Sequence, residues 1–276
     1  PIISLAGFLY VYTTNLTMKG EAMQSNSASY HTCVYSATKT ANAVLTSLNL
    51  VVGSGDTVSN GQYFPNQDMQ LLGLLAYGTA LGAVRVSTPA LRSVAPLDVH
   101  PFVIAAAIPT NANYADMRDN PPIMYASEQI DIQTSESAGG TPVHRAVVNL
   151  GVRPPTRSRG QRYRIIGTSA TTVTAGAWTT CPLTYNANLP HGVYEIQGIT
   201  PISATGIAAR LIVPGEYYRP GAVCLASLGD RLPWPFYDDG FGNLGRFDTR
   251  AYPQIEWLSV AADTAQTVYF DLCKIA

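Results

Sequence analysis

Charge is scarce in this sequence. Only 13% of its 276 residues are Asp, Glu, Lys or Arg, about half of the roughly 25% usual in globular domains. The two signs nearly cancel, 17 basic against 18 acidic, for a net charge of −1. No global field therefore draws the chain to nucleic acid. So little charge also keeps a large free surface in solution poorly, which implies that other subunits cover much of it.

The residue sets that carry chemistry are missing as well. The four cysteines, Cys33, Cys181, Cys224 and Cys273, lie far apart without a CxxC. That excludes dithiol and zinc-ribbon spacing, and free, mostly buried thiols made in a reducing cytoplasm are expected. His31, His100, His144 and His191 form no His-x-His pair, so a cupin-type metal site has no ligands. Gly53-Ser54-Gly55 lacks the spacing of a nucleophile elbow. No GxxxxGK[ST] or helix-opening GxGxxG offers a phosphate cradle. Neither catalytic residues nor a cofactor are expected. Residues 1–18 carry no charged side chain, but their strongly apolar part is about a dozen residues, short of the roughly 20 that span a bilayer. No basic region precedes it, so no secretory signal is expected, and the sequon Asn15-Leu16-Thr17 gains no weight.

What the sequence does have is short strands. Alternating or β-branched runs cover Val44–Val52, Met69–Tyr77, Ala83–Ser87, His100–Ala107, Glu128–Gln133 and Val143–Val152. A second series covers Thr171–Thr180, Gly192–Thr200, Ile207–Val213, Ala222–Ser227, Gln254–Ser259 and Thr267–Lys274. One helical turn is expected over Tyr114–Asn120. The 19 prolines and 23 glycines suit many turns. The fold class is therefore all-β, sandwich or barrel.

The two series repeat each other. Pro65, Gly73, Ala83, Arg85 and Pro89 recur as Pro190, Gly198, Ala208, Arg210 and Pro214, each 125 positions later. Ser36-Ala37-Thr38 has an echo in Ser169-Ala170-Thr171, and Ala146–Leu150 in Val268–Leu272. Two similar units follow: an N-terminal arm over 1–27, a first barrel over 28–152, a linker over 153–164 and a second barrel over 165–276. The arm lies along a neighbour or a membrane surface, or completes the first barrel as a strand.

Three segments are candidates for contact. The Pro-rich linker carries Arg153, Arg157, Arg159, Arg162 and Arg164, which either face phosphate of lipid or genome or pair with acids of neighbouring subunits. Tyr217, Tyr218, Trp234, Phe236 and Tyr237 head a late aromatic cluster that suits a subunit interface or barrel end better than a sugar groove. Asp238, Asp239 and Asn243 have the oxygens of a calcium loop but not its alternating acids or closing Glu, so a turn in the irregular 228–252 insertion is the better reading.

Tandem barrels, low charge, an apolar arm and the paired blocks Pro65–Pro89 and Pro190–Pro214 resemble the double jelly-roll major capsid proteins of tailless icosahedral bacterial viruses, many of which enclose a membrane. The resemblance implies two tandem eight-stranded jelly-roll barrels and a homotrimer of hexagonal outline that tiles an icosahedral shell. It implies no enzymatic activity, and residence in the virion capsid after synthesis in the host cytoplasm. Its implied partners are other copies of the chain, penton or minor capsid proteins, and internal membrane lipids or genome. Two other readings stay open: another virion trimer (spike, cement or tail-associated), and a carbohydrate-binding tandem β-sandwich.

Overall fold

A computed structural model describes residues 30–40, 44–105, 114–152, 158–226 and 243–276. The first part of the chain forms β1 (Tyr30–Thr38), β2 (Thr46–Ser47), β3 (Asn49–Leu50), β4 (Val58–Ser59), β5 (Gln62–Tyr63), β6 (Met69–Tyr77) and β7 (Leu81–Ser87). A short helix α1 (Pro89–Val94) follows. It is capped by Thr88, whose hydroxyl accepts from the Leu91 amide, and Pro89 suits its first turn. Next come β8 (Leu97–Asp98), β9 (Ala115–Asp116), β10 (Ile123–Met124), β11 (Asp131–Glu136) and β12 (Val143–Gly151). The rest forms β13 (Gln161–Ser169), β14 (Thr179–Cys181), β15 (Thr184–Tyr185), β16 (Val193–Ile202), β17 (Gly206–Ile212), β18 (Gly221–Val223), β19 (Arg246–Asp248), β20 (Gln254–Ser259) and β21 (Gln266–Lys274).

Pairing divides these strands into two units, β1–β12 and β13–β21, and no sheet contains strands of both. In the first unit β10-β6-β12-β1-β3 form one sheet, with β9 also on β6, and β2-β11-β7-β8 form another. In the second unit the sheets are β15-β13-β21-β16-β19 and β14-β20-β17-β18. Apart from β9 and the β4–β5 hairpin, the orders correspond strand for strand. So do the irregularities. Gly73 lies opposite Asn149 and Leu71 opposite Leu150, leaving Leu72 as the extra residue of a bulge. Gly198 lies opposite Asp271 and Ile196 opposite Leu272, leaving Gln197. A second matched bulge falls between β7 and β11 and between β17 and β20. Gly73 has its own steric reason: a Cβ there would stand 2.1 Å from the Tyr114 hydroxyl oxygen.

The apolar run of β6 is explained by burial on both faces. Leu71, Leu74 and Ala76 join Cys33, Val148, Val84 and Ile132 in the core between the first unit's sheets. Leu72, Leu75 and Tyr77, with Val34 and Val147, turn the other way and merge with the second unit's core. A strand covered on both sides has no polar face to alternate with. Strand β21 differs: its inward Val268, Phe270 and Leu272 are buried, while Thr267, Tyr269 and Asp271 between them are half-exposed.

Several expectations need correction. The linker is shorter than 153–164, because Gln161–Arg164 already pair with β21 and open the second unit. His100–Ala107 is not a strand over its described part: only Val103 bridges, to Tyr77, and Ile104 is exposed. Tyr114–Asn120 contains β9 rather than a helical turn, since Ala115 and Asp116 pair with β6. The strand expected at Glu128–Gln133 runs from Asp131 to Glu136, because Thr134, Ser135 and Glu136 are polar yet buried. Thr171–Thr180 is mostly loop ahead of β14. Within the 228–252 insertion, Arg246–Asp248 pair with β16 as β19. The arm over 1–27 lies outside the described residues. All four cysteines are free and buried. Among the described residues no helix is long and apolar enough to cross a membrane.

Candidate functional site

The densest polar arrangement lies where the units meet. Strand β17 reads Ile207-Ala208-Ala209-Arg210-Leu211-Ile212, and alternation sends Arg210 away from its own barrel core towards the first unit. There its side chain is fully buried. Its Nη1 donates to Asp56 Oδ1 at 2.8 Å and to the Thr32 carbonyl at 3.2 Å. Its Nη2 donates to Glu256 Oε2 at 2.7 Å and to the Ser54 carbonyl at 3.3 Å. The Trp178 ring lies beneath the guanidinium, 4.0 Å from Cζ to centroid, and its indole N–H donates to the Val51 carbonyl. One cation is thus held by two carboxylates, two carbonyls and an aromatic face.

Asp56 is set for this by its turn. The Gly53 amide donates to Oδ2 at 2.7 Å, and His31 Nε2 lies 2.7 Å from Oδ1. The Arg219 amide donates to His31 Nδ1, so the ring proton sits on Nε2 and points at Asp56. The Thr32 amide donates in return to the Arg219 carbonyl. Burial, only partly opposed by Asp56, keeps the His31 pKa below its ordinary value, so the ring is neutral. Burial works to raise Asp56, but the His31 hydrogen bond and the Arg210 charge outweigh it and hold the carboxyl low. Burial, then the Asp56 charge, pushes the Cys33 thiol well up.

The side-chain donors of His31, Cys33 and Asp56 fall within 4.8 Å of one another. They do not suit a metal. Both imidazole nitrogens are engaged, the thiol is held protonated, and Arg210 already supplies the cation on Asp56. The arrangement has no polarised nucleophile either. What it does chemically is fix one unit against the other.

The expected contact residues scatter. Tyr217 and Tyr218 stand at this same boundary: the Tyr217 hydroxyl lies 2.9 Å from Thr57 Oγ1, and that of Tyr218 donates to Asn66 Oδ1. Trp234, Phe236, Tyr237, Asp238 and Asp239 lie outside the described residues. Asn243 is buried, and its Oδ1 accepts from the Gly245 amide in a tight turn. Arg153 and Arg157 also lie outside the described residues. Arg159 is exposed, and Arg162 and Arg164 stand on β13, where Arg164 pairs with Asp271 at 2.9 Å. The segment entering β13 is pinned by Glu195, which accepts from the Ser158 amide and hydroxyl and from Arg246. The boundary network itself was not foreseen. No motif in the sequence marks Asp56, and His31 stands there only as one of four histidines without a His-x-His pair. The one available signal was Arg210, a charge inside an apolar strand at the repeat's fixed offset.

No protein-family model and no curated protein matches the chain. Among solved structures, the major capsid protein P2 from bacteriophage PM2 aligns over 90% of this chain and 98% of its own, with 10% identity and a TM-score of 0.20. A likeness that slight bears on neither fold nor function.

Proposed function

We propose that the chain is a double jelly-roll major capsid protein, three copies of which form a pseudo-hexameric tile of an icosahedral viral shell. The observation that carries this reading is the matched strand order. Take the first unit's principal strands β1, β2, β6, β7, β8, β10, β11 and β12 as one to eight. Its sheets then run 1-8-3-6 and 2-7-4-5. The second unit's β13, β14, β16, β17, β18, β19, β20 and β21 give the same two orders. The matched orders support reading the units as two tandem jelly rolls related by a repeat that keeps both bulges.

The boundary network supports the same use. A tile needs its two barrels locked, and a buried, multiply bonded Arg210 resists their sliding. Low surface charge suits side walls buried against neighbours, and paired sheets leave few open edges. On this reading the protein works in the virion without cofactor or substrate. Its partners are further copies of itself and the penton or minor proteins that close the shell. The linker arginines are the place to meet lipid or genome phosphate.

Sedimentation and electron microscopy of purified protein test the proposal. A trimer of about 90 kDa, three copies of a 29.5 kDa chain, that forms hexagonal tiles is expected. A chain that stays monomeric at every concentration and binds oligosaccharide would sink it.

A further inference from the structure

Beside Arg210, the boundary holds a second contact made by segments that the repeat does not share. The first unit runs from β3 to β6 through residues 51–68, where the second passes from β15 to β16 through residues 186–192 alone. The second unit joins β17 to β18 through residues 213–220 without a helix, where the first has α1 between β7 and β8. The 213–220 connection lies on the 51–68 segment. The Tyr217 hydroxyl is 2.9 Å from Thr57 Oγ1. The Tyr218 hydroxyl donates to Asn66 and accepts from Gln67. Arg219 Nε donates to Ser54 Oγ at 2.9 Å.

The backbone of this turn closes on His31. The Arg219 amide donates to Nδ1 at 3.1 Å, and the Thr32 amide donates back to the Arg219 carbonyl at 2.9 Å. Nε2 carries the ring proton and donates to Asp56 at 2.7 Å. The ring is fully buried, stacked on Tyr63 at 4.8 Å and edge-on to Tyr218 at 6.0 Å, so it has no room to swing out. A second proton can go only to Nδ1, where it would meet the Arg219 N–H, donor against donor. Flipping the ring does not help. Both nitrogens of an imidazolium donate, and the site offers an acceptor to one.

The groups facing the ring do not make up for this. Asp56 alone favours the charge, and it is already shared with Arg210. Arg210 from β17 and Arg219 from the turn oppose it. Glu256 of β20 is engaged by Arg210 and the Ser54 amide. Cys33, Tyr63 and Tyr218 are neutral, burial pushing up the ionisation of all three.

We propose that His31 is an acid-operated latch: protonation of its ring expels the Arg219 amide and releases the 217–219 turn from the first unit, while Arg210 keeps the two units together. Arg210 holds because none of its acceptors is the imidazole. They are Asp56, Glu256 and the Thr32 and Ser54 carbonyls. The latch stands whether or not the chain builds a shell.

Hydrogen exchange of the purified protein from pH 7.5 to 5, read by NMR and corrected for the intrinsic pH dependence of exchange, tests it. A released ring regains the ordinary pKa near 6.5, whereas the closed ring resists protonation, so acid favours the open turn. Protection of the Arg219 and Thr32 amides should be level above about pH 7 and fall by up to about tenfold per pH unit below about 6.5. The Trp178 indole N–H, bonded to the Val51 carbonyl beneath Arg210, reports on the lock. At pH 5 it should remain at least about tenfold better protected than the two turn amides. In His31→Gln the turn amides should exchange independently of pH. Turn protection that is flat in the unaltered chain overturns the latch without recourse to a variant. So does an acid-induced loss that persists in His31→Gln. Equal loss at Trp178 and the turn would mean that the whole boundary opens at once, which overturns it too.

Discussion

Arg85 and Arg210 occupy the same place in two copies of one architecture, opposite Gln133 on β11 and Glu256 on β20. Arg85 lies partly in solvent with Asp98 as its ion-pair partner. Arg210 is buried with Asp56, Glu256, two carbonyls and Trp178 around it. The difference lies in what covers the sheet, not in the strand. Once the second unit's face was pressed on the first, its arginine could stay only with its charge balanced and its N–H groups met. Four acceptor contacts do this for the two terminal nitrogens. Nε alone is left without a partner.

The comparison is most sharply tested by removing each arginine. Arg210→Ala strands Asp56 and Glu256 in a dry boundary and should cost about 3–5 kcal/mol, seen as a lower denaturant midpoint. Arg85→Ala, measured under dissociating conditions, should leave that midpoint unchanged. Equal effects from the two would mean that the boundary contributes nothing the surface pair does not.

A second contrast is the cross-strand pair at the next matched position. Thr32 Oγ1 donates to Asn149 Oδ1 at 2.8 Å in a buried site. Its equivalent is the surface pair Arg164–Asp271. Thr32→Val keeps the shape but takes a donor from a buried acceptor, at a cost of about 1–3 kcal/mol. Arg164→Ala should change monomer stability by under about 0.5 kcal/mol. Thermal unfolding of the two variants side by side decides this.

Much of the fold was legible because it is local or periodic. Gln254–Ser259 and Met69–Tyr77 are strands at the residues their patterns mark, and Gly73 and Gly198, marked by spacing, sit at the same bulge. Where polar residues are buried, the pattern misled. Glu136 ends β11 inside the barrel, and Arg162 and Arg164 looked like linker because strand β13 turns its charged face outward. The site was least legible. Asp56 and Arg210 are 154 positions apart in the chain, and His31 gains its role only when the Arg219 amide reaches it. Contacts between units leave no period in a sequence.

Acid should separate the two arginine sites by a smaller margin. His31 in the folded chain keeps its pKa below the ordinary value near 6.5. Below about pH 6.5 the unfolded chain therefore binds a proton that the folded one refuses. Stability falls with pH from there until the folded ring protonates, by at most about 1.4 kcal/mol per pH unit. Asp56 acts lower down: its folded pKa is depressed, so its contribution is present above about pH 4 and is lost as pH falls through the folded value. His31→Gln should flatten the upper part of the profile and Asp56→Asn the lower. Below pH 6.5, a fall in melting temperature equally steep with and without His31 would place the acid-sensitive group elsewhere. On the Arg85 side no imidazole is hydrogen-bonded to the ion pair, so Arg85→Ala should leave the slope between pH 5 and 6.5 as it was, and a flattened slope in that variant would erase the distinction between the two arginines.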